Sequence, residues 1–235
     1  MPRRPRDYLP GVPAHVIQRG NNRTPCFFTP EDYRFYKECL GEACRRHGVE
    51  LYAYVLMTNH THLLMAPTGG DGISRVMQSL GRRYVQHVNR IHARTGTLWE
   101  GRHRASLVEA EAYLLACYRY IELNPVRAGM VEHPAEYRWS SYRSHACGEP
   151  DDLLSPHPLY LALGGDGDRH QHYRALFPSG VPPAELEAIR LATRFSVPLG
   201  NDRFRRHVET SLGRPTGHAG RGRPRHPKGS GAGKR

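Results

Sequence analysis

The order in which apolar periodicity changes along the first 124 residues narrows the fold more than any other property of this 235-residue chain. Residues 13–19, PAHVIQR, read as a short strand, and Gly20-Asn21-Asn22-Arg23 as the turn after it. Thr29 then offers an N-cap, Pro30 a first helical position, and Glu31 and Asp32 an acidic first turn. Tyr33, Tyr36, Leu40 and Ala43 keep helical spacing until Gly48 stops the run. Residues 50–57 form a buried type of strand, Thr58-Asn59 a tight turn, and residues 60–65, HTHLLM, the second arm of a hairpin. A basic helix follows at 73–94, with Ile73, Val76, Met77, Leu80, Tyr84 and Val88 on one face. Residues 97–108 read as a strand interrupted at Gly101, and the stretch from Glu109 to between Ile121 and Asn124 as a helix that Pro125 ends or kinks. That order predicts an α+β fold: a ferredoxin-like, split βαβ antiparallel sheet with helices packed on it.

Past Pro134 the periodicity weakens. Residues 135–146 include Trp139 and Tyr142, read as a helical turn packing back on the core. Residues 148–182, rich in Gly, Pro, Asp and His, read as irregular, and helices are expected at 183–194 and 200–211. The division expected is a principal domain at 1–147, an irregular and helical extension at 148–212, and a disordered basic tail at 213–235.

Charge says what such a chain meets. The net charge is +12, which predicts a polyanionic partner. Seven Lys or Arg and no acidic residue lie in 213–235, so the rest of the chain carries +5. The five cysteines are odd in number and form no CxxC pair, which fits reduced thiols in a cytosolic protein and disfavours a zinc finger. The N-terminal MPRRPRDYLPG has no apolar core of a secretory signal, and no run approaches the roughly 18 apolar residues of a membrane span. No membrane partner is expected.

Two short patterns carry chemistry. In His60-Thr61-His62 the imidazoles share one face of a strand, close enough to bind one metal ion. A hairpin with two solvated histidines fits the same pattern. In Tyr120-Ile121-Glu122-Leu123-Asn124, residues i and i+4 share a helix face, so a phenol oxygen and an amide oxygen can face one point. The bland alternative makes Tyr120 core and Asn124 a cap before Pro125. Taken together, a metal held by two imidazoles and an amide oxygen polarises a phosphate, and a nearby phenol can attack it.

Four stretches give a specific resemblance: His15-Val-Ile-Gln-Arg-Gly-Asn21, Met57-Thr-Asn-His-Thr-His-Leu-Leu64, Leu98-Trp-Glu-Gly-Arg102 and Tyr120-Ile-Glu-Leu-Asn-Pro-Val-Arg-Ala-Gly129. In this order, over roughly residues 8–145, they resemble the single-tyrosine HUH transposases, and most of all their REP-associated branch. Leu199-Gly-Asn-Asp-Arg-Phe204 and the basic Gly-Arg-Pro tail resemble that branch as well. The resemblance implies Tyr120 as nucleophile, His60, His62 and Asn124 as ligands of Mg²⁺ or Mn²⁺, and cleavage and rejoining of single-stranded hairpin DNA from repeated palindromes through a 5′-phosphotyrosine. It also implies a bacterial cytoplasmic location at the nucleoid. Thr61 departs from the motif's hydrophobic middle position, but its side chain should face the other side of the sheet. Tyr118 is a rival nucleophile by sequence, but about 200° of helical rotation turns it away from Asn124. A monomer is expected, with a homodimer left open.

The DNA-contacting candidates are Arg19, Asn21 and Arg23 after the first strand, Arg82 and Arg83 on the basic helix, and Trp99, Arg102 and Arg104 beyond it. In the tail, Arg221, Arg223 and Arg225 form either an electrostatic tether or a minor-groove hook, and the tether is preferred. Two rival functions stand beside the transposase: a non-catalytic DNA-binding protein on the same fold, and a metal-dependent hydrolase that ignores Tyr120.

Overall fold

A computed structural model describes Arg6 and residues 8–216. Arg221, Arg223 and Arg225 therefore lie outside the described residues, as does most of the expected tail. Four strands form one sheet: β1 (Ala14–Arg19), β2 (Val49–Met57), β3 (His60–Pro67) and β4 (Arg104–Leu107). Their spatial order is β2-β3-β1-β4, with every neighbouring pair antiparallel. Helices α1 (Pro30–His47), α2 (Gly72–Ile91) and α3 (Ala110–Glu122) connect and follow them. This is the ferredoxin-like split βαβ arrangement.

The local chemistry explains the elements. Thr29 and Asp32 form a capping box at the start of α1, with Pro30 beside it, and Gly48 closes the helix in the left-handed region at φ 59°. β2 is buried on both faces along nearly its whole length, which is why VELYAYVLM shows no alternation. Val16, Leu63 and Met65 pack against Tyr36, Leu40, Val76, Leu80 and Tyr84 of α1 and α2. On the opposite face Ala53, Val55, Leu64 and Ala66 pack with Leu114, Cys117 and Ile121 of α3. The sheet thus separates two apolar layers, and alternate residues of β1 and β3 enter each.

Two expectations need correction. The strand expected over 97–108 is reduced to β4, because Leu98 and Trp99 turn into the core and the segment ties only singly to the end of β1 and the turn after it: Asn21 N–H donates to the Leu98 carbonyl at 2.8 Å and Glu100 N–H to the Arg19 carbonyl at 2.9 Å. The stretch 148–182 is not wholly irregular. It holds α6 (Pro158–Leu161) and α7 (Arg169–Arg174), after α4 (Asn124–Arg127) and α5 (Tyr142–Cys147). Helices of four to six residues are too short to leave a periodic signature, but Tyr160 and Tyr173 are buried against α3. Helices α8 (Pro183–Phe195) and α9 (Asp202–Leu212) follow where the spacing predicts them. Leu199 bridges in parallel to Val108, and Glu109 accepts from the Asn201 backbone N–H at 2.8 Å, so this segment docks beside β4. Among the described residues no helix is long and apolar enough to cross a membrane.

His103 links the fold to pH. Its imidazole is buried and lies 2.7 Å from the Tyr8 hydroxyl. Burial, reinforced by Arg6 and Arg102, pushes it down to about 3 from the usual 6.5. Below pH 6.5 the unfolded chain takes up a proton here that the folded chain refuses. The stability it contributes is present above pH 6.5 and falls by up to about 1.4 kcal/mol per pH unit as the pH drops toward 3. Urea midpoints of the native chain should fall between pH 7.5 and 5.0 more steeply than those of His103→Gln; equal slopes would contradict this account.

Candidate active site

The β1–β3 register sets His62 opposite Ile17 and His60 opposite Arg19. Both imidazoles lie on the α3 side of the sheet, with ring centroids 5.0 Å apart. Thr61 between them is fully buried on the other side, where the Tyr36 hydroxyl reaches it at 3.4 Å. Tyr120 of α3 comes over the same face: its ring meets that of His62 edge-on at 5.7 Å. Tyr120 keeps 8% of its surface exposed, whereas Tyr118 has none. Tyr118 sits among His145, Tyr160 and Tyr173, and burial raises its phenol well above the ordinary range. The two tyrosines thus face opposite ways, as the helical rotation predicts.

The end of α3 shapes Asn124. Pro125 has no N–H to return to the Ile121 carbonyl, and the helix breaks at Leu123 before α4 begins. The freed carbonyls are served by side chains. Asn124 Nδ2 donates to the Tyr120 carbonyl at 3.0 Å and lies 3.3 Å from that of Ile121. With the amide nitrogen so committed, Oδ1 is the atom Asn124 retains for a ligand. Arg127 Nη2 donates to the Tyr120 carbonyl at 2.6 Å, and its guanidinium lies 4.4 Å from the Tyr120 ring centroid.

Electrostatics keep the imidazoles uncharged. Burial, helped by Arg19, pushes His60 down to about 4. Burial also holds His62 well below its usual value, with His15, His60 and Arg127 adding to the effect. Neutral imidazole is the metal-binding form. Among the described residues no group of three or more His, Cys, Asp or Glu is placed to hold a metal ion. A metal reading therefore stands on two imidazoles and an amide oxygen.

The other candidates are placed unequally. Arg19 and Arg23 are exposed beside the histidine pair, and the loop carrying Asn21 and Arg23 is pinned to the β2–β3 turn. Gly20 N–H donates to the Asn59 carbonyl at 2.8 Å, and Asn59 Nδ2 to the Arg23 carbonyl at 3.0 Å. A Cβ on Gly20 would collide with the Thr24 carbonyl, so this close approach requires glycine. Arg82 is exposed on α2, Arg83 is ion-paired with Glu42, and Arg102 and Arg104 are exposed around the start of β4. Trp99 corrects the sequence reading: it is 7% exposed and stacks on Tyr84 at 6.0 Å, which places its ring in the core rather than on a surface for base stacking.

Sequence reasoning assigned no role to three neighbours. His15 lies 2.8 Å from His62, Asn59 lies 2.6 Å from His60, and Arg127 covers Tyr120. Only the i+7 spacing of Tyr120 and Arg127, two helical turns, could have signalled one of them.

Residues 10–124 match the family described as "Transposase IS200 like". Through this stretch, just under half its length, the chain is similar to the IS200-like transposases. All four strands and α3, including His60, His62 and Tyr120, fall inside the match, which supports a transposase role. The fold is similar to that of a REP-associated tyrosine transposase solved with a REP hairpin: TM-score 0.54 and 18% identity, over 67% of this chain and 93% of that one. A candidate transposase from Deinococcus radiodurans R1 is 22% identical over 49% of this chain and 94% of its own, with a TM-score of 0.35. No curated protein matches the chain.

Proposed function

We propose that this chain is an IS200-like transposase that cleaves and rejoins single-stranded hairpin DNA, with Tyr120 as the nucleophile. The observation that supports it most is the meeting of the Tyr120 ring with the His60–His62 pair on one face of the sheet. In the step proposed, the Tyr120 phenol oxygen bonds to the scissile phosphorus as the bond to the 3′ oxygen breaks. The phenol loses its proton to solvent and the departing oxygen leaves as a 3′-hydroxyl. The 5′-phosphotyrosine conserves the bond energy, and the reverse attack rejoins a strand. Arg127, with its guanidinium over the ring, holds the Tyr120 ring in place through a cation–π contact.

His60, His62 and Asn124 suit a divalent ion, Mn²⁺ or Mg²⁺, which when bound neutralises charge developing on the phosphate. The fit is in the donor chemistry. His60 Nδ1 faces the Asn59 Oδ1, which can only accept, so His60 carries its proton on Nδ1 and offers the Nε2 lone pair. Arg19, Asn21 and Arg23 border the histidine pair and are the proposed contacts to the strand, with Arg82, Arg102 and Arg104 further out. REP-type palindromes are the substrate proposed, since the similar solved transposase carries a REP hairpin. We assign residues 1–147 to the catalytic unit and residues 148–212 to an extension that shares its core.

The test is a denaturing gel of the protein with labelled single-stranded hairpin DNA and Mn²⁺. A slow, chelator-sensitive band is expected. His60→Ala and His62→Ala should each slow its appearance by about 10³-fold, the effect of losing several kcal/mol of charge stabilisation. Tight hairpin binding with no band under any metal would favour a non-catalytic DNA-binding protein. Strand loss without a protein–DNA band would favour a hydrolase.

A further inference from the structure

His62 is held differently from His60, through a chain that leaves the family-matched stretch. Thr193, on α8, donates its hydroxyl proton to the Ile189 carbonyl at 2.8 Å. Its oxygen lies 3.2 Å from His15 Nδ1, and with its proton spent it can only accept there. His15 therefore carries its proton on Nδ1, and its Nε2 is a bare acceptor. That Nε2 lies 2.8 Å from His62 Nδ1, which must then be the donor. His62 is left with its lone pair on Nε2. Every member is sealed from water: His15 is 1%, His62 3% and Thr193 5% exposed, so solvent cannot substitute for a missing partner. The chain also orients the rings, since His15 and His62 stack at 5.0 Å with 21° between their planes.

We infer that His15 and Thr193 are positioning residues that fix the Nδ1–H tautomer of His62, so that α8, outside residues 10–124, prepares a ligand of the catalytic metal. The inference rests on the metal reading proposed above. Reversing any one bond reverses those beyond it. If His15 carried its proton on Nε2, it would donate to His62 Nδ1 and drive the His62 proton onto Nε2, closing the site to a metal. Partners of this kind typically account for 10- to 100-fold in metal affinity.

Two measurements test this. In metal-free native protein labelled with ¹⁵N-histidine, long-range ¹H–¹⁵N correlation spectra should show His62, identified by substitution, protonated on Nδ1. Mn²⁺ affinity, followed by the loss of the free-ion EPR signal, should fall about 10- to 100-fold in His15→Leu. It should recover largely in His15→Gln, whose amide oxygen can accept from His62. Thr193→Val should weaken Mn²⁺ binding by at least about threefold and populate the Nε2–H form of His62. An Nε2–H tautomer in the native protein overturns the inference whether or not the variants fold, as does Mn²⁺ affinity unchanged within twofold in both His15→Leu and Thr193→Val. A native chain that binds no Mn²⁺ while His62 shows Nδ1–H overturns the metal reading and this inference together, and is told apart because the failure is in the unmutated protein.

Discussion

Tyr120→Phe protein should form no covalent adduct with any single-stranded hairpin substrate, yet bind that DNA as tightly as the native chain. The loss should be complete, because phenylalanine supplies no oxygen to bond to phosphorus. Retained binding follows from what the ring touches. Its contacts to His15, His62 and Arg127 are made by its carbon framework and its backbone carbonyl, all of which phenylalanine keeps. Thermal stability should shift little, so a lost band would report chemistry and not unfolding. Anisotropy titrations with labelled hairpin check the binding arm. A Tyr120→Phe chain that binds DNA 10-fold more weakly would show that Tyr120 holds the substrate as well as attacking it.

Glu122→Leu should produce the largest loss of stability. Glu122, two residues from the nucleophile, is fully buried and points away from the histidine pair. Its Oε1 accepts from the Ser141 hydroxyl at 2.6 Å and lies 2.7 Å from His145 Nδ1, while its Oε2 accepts from the Tyr173 hydroxyl at 2.6 Å. One carboxylate thus ties the end of α3 to α5 and α7. Leucine would leave the buried His145 Nδ1 and Tyr173 hydroxyl without an acceptor and Ser141 with only the Tyr54 carbonyl at 3.3 Å, at a cost of about 3–5 kcal/mol. For a chain of this size that corresponds to a melting temperature lower by about 6–20 °C. Glu122→Gln keeps the shape and one acceptor and should lose less. Calorimetry checks both. A melting temperature within 2 °C of native for Glu122→Leu would refute the tie, and adduct formation by that variant well below its melting temperature would confirm that Glu122 does no chemistry.

The elements legible in the sequence are those whose signals are local. Thr29, Pro30, Asp32 and Gly48 bound α1 through contacts within one turn, so spacing alone reveals it. The HxH pair and the Tyr120–Asn124 spacing are legible for the same reason, since strand and helix geometry place them from position alone. The fold of the first 124 residues followed from periodicity. What escaped depends on contacts between distant segments. His15 reads as one residue of an alternating strand until β3 places His62 beside it, 47 positions on. Thr193 reads as an ordinary helix residue until α8 lies against β1, 178 positions from His15. Trp99 offered the right chemistry for stacking on a base, but the core took its ring, and nothing in Leu98-Trp-Glu-Gly-Arg102 says which face is covered. Asn124 was half legible: spacing put it on the Tyr120 face, but only the helix break at Pro125 explains why its nitrogen turns back to the Tyr120 and Ile121 carbonyls.

The most direct test of the central claim is to trap the adduct and find where the DNA is attached. The protein is incubated with a single-stranded hairpin and Mn²⁺, denatured, treated with nuclease and protease, and the peptides are sequenced by mass spectrometry. The account predicts a residual nucleotide phosphate on Tyr120, in the peptide running from Tyr120 to Arg127. The same mass on Tyr118, on another residue, or on none despite cleaved DNA, would contradict it.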